Sequence, residues 1–225
     1  MNGAVVRPRL APRAAARGFT LIEVLLAMVL LVAGLTLAFA TLSAATKTAA
    51  RGESLAQRSE RERAVVGFLR KRIAATRPIP FAFDQSTAVP QRFVGEPDRL
   101  RFVADLPDYL GQGGPYLHDF AIESDGDQAR MVLSLSMVLA GETIKDPQPR
   151  PPELLVDGLK SARFRYRSID PQRGELGEWQ ERWTTPEQLP LFVEATFVDR
   201  DGRRWPPLIV SLPLATASGG FVPEL

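Results

Sequence analysis

The sequence predicts an α+β protein in which one long N-terminal helix packs on an antiparallel β-sheet. Three observations carry that expectation. Residues Val24 to Thr46 hold no charge and are apolar on every helical face. The following stretch, to about Thr76, places apolar residues three and four apart. Beyond Pro80 the period changes to two, in segments separated by Gly, Pro and Asp clusters, without the helix–strand alternation that a parallel sheet requires.

The first element is a membrane-length run. At 20 residues or more it suffices to cross roughly 30 Å of hydrocarbon, and it exceeds the apolar core of a secretory signal peptide. A cleaved signal would need small residues after the run, and Ala44-Ala45 supplies such a pair. Basic residues flank both sides, with Arg7, Arg9, Arg13 and Arg17 before the run and Lys47, Arg51, Arg58, Arg61 and Arg63 after it, so loop charge does not fix orientation. Next, Leu55, Val65, Val66, Phe68, Leu69 and Ile73 form one apolar face, and the charges between them form a stripe expected to be solvated. Gly52 weakens this helix without breaking it, and Thr76-Arg77-Pro78 with Pro80 ends it. From Phe19 to about Thr76 the helix would span roughly 85 Å at 1.5 Å per residue.

The sheet is expected from strands at 99–104, 117–123, 130–138, 161–167, 192–198 and 207–212. Ser124-Asp125-Gly126-Asp127 and Asp199-Arg200-Asp201-Gly202 carry hairpin turn chemistry. Gly111-Gln112-Gly113-Gly114-Pro115 reads as a flexible turn, and it lacks the Gly-Lys-Ser/Thr ending of a phosphate loop. Residues 146–152, rich in proline, read as an extended linker.

Composition removes several function classes. The 225 residues include one His and no Cys, so a Cys/His zinc site, a thiol nucleophile and an internal disulfide are excluded. The net charge is +2, yet residues 1–18 hold four arginines and no acid. Without them 24 basic residues face 26 acidic ones, a net charge of −2, and the support for nucleic-acid binding disappears.

Directly before the apolar run stands Arg17-Gly18-Phe19-Thr20-Leu21-Ile22-Glu23. It resembles the type III signal of type IV pilins and of type II secretion pseudopilins. The resemblance implies a pilin-like fold, a leader over 1–18, cleavage between Gly18 and Phe19 by a prepilin peptidase on the cytoplasmic side, and N-methylation of Phe19. It divides the chain into a transmembrane and assembly half-helix (19–46), an amphipathic periplasmic half-helix (47–77) and a β-rich periplasmic domain (78–225). Glu23 has its own physical reading. A carboxylate in a membrane segment costs about 2.5–3.5 kcal/mol at mid-bilayer. Cleavage would free the amine of Phe19, one helical turn away, and in a stack of such helices Glu23 can pair with a neighbouring subunit's amine. A Glu at the headgroup interface of a plain anchor is the simpler alternative.

A second resemblance covers 153–213. Leu154-Leu155-Val156-Asp157-Gly158-Leu159, Phe164-Arg165-Tyr166, Trp179 and Trp183 four apart, then Leu189-Pro190 and Val193 look like the C-terminal half of the pseudopilin J family of type II secretion. Thr184-Thr185-Pro186 after the second Trp departs from the family's Trp-Pro. The resemblance implies a minor pseudopilin at the tip of a pseudopilus that exports folded periplasmic proteins across the outer membrane. The implied partners are the I- and K-type pseudopilins, the major pseudopilin and the prepilin peptidase. It places the chain in the inner membrane as a single-pass protein, with no cofactor, metal or small-molecule substrate. A minor type IV pilin is the runner-up. From another class, a tethered periplasmic enzyme or binding module is the alternative, but Gly-x-Ser-x-Gly and Ser-x-x-Lys are absent. His118-Asp119 reads as a strand pair with one residue in and one out. The acids Asp105, Asp108, Asp119, Glu123, Asp125 and Asp127 follow no calcium-loop pattern and read as turn and strand-end carboxylates. Trp179 and Trp183 read as core or surface-covering aromatics, with an interface role as the alternative.

Overall fold

A computed structural model describes residues 18–106, 113–144 and 150–212. The chain divides into two units, one ending at Gln57 and one starting at Arg58. Among the described residues the elements are one helix, α1 (Leu21–Ala74), and the strands β1 (Thr76–Arg77), β2 (Ala82–Phe83), β3 (Pro90–Gln91), β4 (Phe93–Gly95), β5 (Arg99–Leu106), β6 (Gly114–Asp125), β7 (Gln128–Leu139), β8 (Glu142–Thr143), β9 (Glu153–Arg167), β10 (Phe192–Asp199) and β11 (Leu208–Ser211).

Among the described residues the first unit is helix alone after Thr20. The helix is continuous through Gly34 and Gly52, and a Cβ at either would meet nothing. It stops at Ala74, short of the expected Thr76, where the ladder tightens and the Ala75 amide donates to the Arg72 carbonyl at 3.2 Å. Thr76 and Arg77, expected to close the amphipathic segment, instead open the sheet by pairing with Ala104 and Val103. Residues 1–17 of the expected leader (1–18), Gly111, Gln112, Asp108, 145–149 and the end of the chain from 213 lie outside the described residues.

In the second unit Val65, Leu69 and Ile73 of α1 are buried, each contributing roughly 1.5–3 kcal/mol on removal from water. The apolar face is narrower than the sequence suggested. Leu55 is exposed, and Phe68 is only partly covered, its ring edge-on to Phe120 at 6.4 Å. Arg72 occupies the remaining buried position, donating to the Asp105 carbonyl at 3.2 Å with its guanidinium over the Phe68 ring. The charge stripe also differs from expectation. Arg58 meets Asp201 at 3.3 Å, Arg61 meets Asp157 at 3.2 Å and Glu62 meets Arg203 at 2.9 Å. Exposed pairs of this kind are worth about 0–1 kcal/mol each. Arg203 goes further, because it also holds Asp199, whose carboxylate accepts the buried Trp205 indole N–H at 2.7 Å.

The main sheet is antiparallel throughout, in the order β1-β5-β6-β7-β9-β10-β11, with β4 also on β5 and β8 on β7. The two expected hairpin turns are present. Asp125 pairs with Gln128 around Gly126, whose φ of 56° favours a residue without Cβ. Gly202, at φ 83°, turns the chain after β10, and Pro206-Pro207 then interrupt pairing until Leu208. Gly114 and Pro115, expected in a loop, begin β6. β9 starts eight residues before its expected beginning at 161 and bulges at Gly158, φ 69°, so the period-two signal breaks there. One face of the sheet packs under α1. The other carries a second cluster, Phe81, Val103, Leu117 and Val138, covered by the segment after the helix.

Candidate functional site

The Gly18–Glu23 segment of the motif sits where coil becomes helix. Gly18, Phe19 and Thr20 are non-helical and α1 begins at Leu21. Thr20 is the N-cap. The Glu23 amide donates to Thr20 Oγ1 at 3.4 Å and to its carbonyl at 3.1 Å, and the Val24 amide reaches the same carbonyl at 3.3 Å. Thr20-Leu21-Ile22-Glu23 is thus a Ser/Thr-x-x-Glu capping sequence with Glu23 at the third helical position, where the helix dipole favours an acid. Phe19 precedes the cap and Val24 is the fourth helical residue, the two positions of a hydrophobic staple; both line one shallow groove with Glu23. The Gly18–Phe19 bond therefore lies outside the helix, with no described residue within 4 Å of a Cβ on Gly18 and with Phe19 81% exposed.

From Leu21 to Leu42 the helix exposes apolar side chains all round and is long and apolar enough to cross a membrane. Its hydroxyls are satisfied locally. Thr36 donates to the Val32 carbonyl at 2.8 Å, and Thr41 to the Ala38 carbonyl at 2.9 Å. Such back-bonding lets threonine sit in hydrocarbon without an unpaired donor.

Elsewhere the singled-out side chains serve packing. His118 is fully buried, stacked 5.5 Å from Phe102 and 6.4 Å from Phe120, with Nδ1 3.0 Å from the Tyr116 carbonyl. Burial, opposed by that bond and reinforced by the Arg72 cation, holds its pKa down to about 4. Asp119 faces the other way and pairs with Arg99. The acids considered for calcium are not gathered: Asp105 pairs with Arg77 and Glu123 with Arg130, and among the described residues no three His, Asp or Glu are placed to hold a metal. Trp179 is half-buried beneath the guanidinium groups of Arg165 and Arg167. Trp183 packs on the core and donates its indole N–H to Gln188 at 2.9 Å.

The family model described as type II secretion system protein J matches residues 40–210, about three quarters of the chain. A relative from Xanthomonas campestris pv. campestris named type II secretion system protein J is 49% identical over 93% of this chain and 98% of its own length. The chain belongs to the type II secretion system protein J family. It is a minor pseudopilin, and the expected pilin-like α+β architecture is the one observed. The family match runs from mid-α1 into β11, so it takes in the buried end of α1 and the sheet. A second model, the prokaryotic N-terminal methylation motif, matches residues 13–39 and brackets Gly18, Phe19 and Glu23. Among solved structures, the GspK-GspI-GspJ complex from the type 2 secretion system of enterotoxigenic Escherichia coli contains a chain with TM-score 0.45 and 14% identity, covering 68% of this chain and 96% of that one.

The sequence reading did not single out Thr20, although the Ser/Thr-x-x-Glu spacing was visible. Gly95 and Tyr166 were also not paired. A Cβ on Gly95 would lie 2.6 Å from the Tyr166 ring, so the ring rests directly on the backbone of β4.

Proposed function

We propose that the chain is made with a leader ending at Gly18, cut there by a prepilin peptidase at the cytoplasmic face, and methylated on Phe19. The processed subunit is a single-pass inner-membrane protein whose sheet domain lies in the periplasm. With I- and K-type pseudopilins and the major pseudopilin it forms the tip of a pseudopilus that drives folded proteins across the outer membrane. The observation that carries this reading is the placement of an exposed, non-helical Gly18–Phe19 bond just before an all-round apolar helix, with Glu23 one turn inside it. The role is architectural. His118, the chain's one imidazole, is sealed in an aromatic stack and meets no solvent from which a substrate could arrive.

Glu23 neutralises the Phe19 amine of a neighbouring subunit during assembly, which offsets the cost of both charges in hydrocarbon. Glu23→Val should insert and be cleaved normally, because removing an acid makes the anchor more apolar, while secretion of folded cargo falls. Normal secretion with both Glu23→Val and Glu23→Leu would remove the carboxylate from the assembly step. Co-purification of the full chain with neighbouring pseudopilins tests the partners, whose contacts should each bury on the order of 1,200–2,000 Å². A chain that stays monomeric where I- and K-type subunits bind each other would contradict the tip position.

A further inference from the structure

We propose that Thr20 is a positioning residue for processing: its capping bond to Glu23 fixes the start of α1 and so keeps the Gly18–Phe19 bond in non-helical, cleavable backbone. This rests on the reading of Gly18–Phe19 as the processed bond. Hydrolysis adds water across that amide, leaving a carboxylate on Gly18 and a protonated amine on Phe19. A peptide bond inside an α-helix is closed to such attack, because its N–H and C=O are held in the ladder and its φ/ψ are not extended. The sequence upstream makes the boundary a live question. Ala14-Ala15-Ala16-Arg17 are strong helix formers, and they abut a 54-residue helix with only Gly18 and Phe19 between them and the cap.

Thr20 supplies the stop. An N-cap residue keeps non-helical φ/ψ while its side-chain oxygen holds an amide of the first turn, here the Glu23 N–H at 3.4 Å. Phe19 and Val24, at the staple positions, set the direction from which the chain enters. The same glutamate therefore anchors the cap through its backbone and carries the assembly charge on its side chain.

The test is the initial rate at which purified prepilin peptidase cleaves the full-length chain in detergent micelles. Four variants are compared with the wild type. Thr20→Ala removes the cap and favours helix, Thr20→Val removes the cap but keeps the threonine shape, and Thr20→Ser and Thr20→Asn keep a capping oxygen. The expected result is a rate about threefold to tenfold lower for Ala and Val, with Ser and Asn within twofold of wild type. Hydrogen exchange at the Glu23 amide should quicken in Ala and Val alone. Val cleaved at the wild-type rate would overturn the proposal. Asn cleaved as slowly as Val would also overturn it, since the peptidase would then be reading the threonine side chain directly. A wild-type chain left uncut after Gly18 would instead bring down the processing assignment itself, which separates the two failures.

Discussion

Gly95→Ala is a one-carbon change whose cost can be worked from the contacts it meets. The new Cβ would stand 2.6 Å from Tyr166 Cζ and 2.8 Å from both Cε atoms, so the ring or β4 must move by about 1 Å to reach ordinary van der Waals separation. The ring has little room to do so. Tyr166 is fully buried, its hydroxyl donates to the Glu96 carbonyl at 2.8 Å, and Phe93 meets it edge-on at 5.7 Å. Overpacking of this kind costs about 1–3 kcal/mol, and pulling the hydroxyl from its acceptor adds about 1 kcal/mol. A loss of about 2–4 kcal/mol should lower the melting temperature of the purified chain by roughly 5–15 °C. Denaturant titration of the wild type, Gly95→Ala, Tyr166→Leu and the double variant gives the coupling directly. The double variant should lose less than the sum of the two single losses, because Leu vacates the space that Ala needs. A Gly95→Ala chain within 0.5 kcal/mol of wild type would refute the close packing of β4 on Tyr166.

His118 should make the sheet domain acid-sensitive. Its folded pKa is depressed to about 4 from 6.5, so as pH falls below 6.5 the unfolded chain takes up a proton that the folded one refuses. Stability that is whole above pH 6.5 should fall by about 3 kcal/mol by pH 4, and His118→Phe should flatten that part of the pH profile of unfolding free energy. An unchanged slope in the variant would contradict the burial. Ala140→Asn should stabilise by about 0.5–1 kcal/mol in the same titration, because Ala140 and Gly141 hold φ of 52° and 85° in the two-residue turn joining β7 to β8, a conformation Asn-Gly adopts at lower cost.

The helix was legible because two different apolar patterns, one all-round and one on a single face, abut without a breaker until Pro78. Long alternating strands such as β5 and β7 were equally plain. The early half of β9 was not, because its bulge at Gly158 shifts which side chains face the core. The two- and three-residue strands β1 to β4 carry too few residues to show a period, so the second core around Phe81 was invisible in the sequence. Leu55 misled for a different reason: its spacing fits the apolar face, but that part of α1 precedes the unit holding the core. At the proposed processing site, Gly18, Phe19 and Glu23 were singled out from one seven-residue motif. The cap geometry of Thr20 needed the position of the helix start.

The most direct test of the central assignment is the mass and N-terminal sequence of the chain recovered from the membranes of cells carrying a complete type II secretion system. The expected mature protein begins at Phe19, lacks residues 1–18, and carries one methyl group on its terminal amine. A chain still starting at Met1, or one beginning after Ala45, would contradict it, and in the second case the helix would have been a discarded signal and not an anchor.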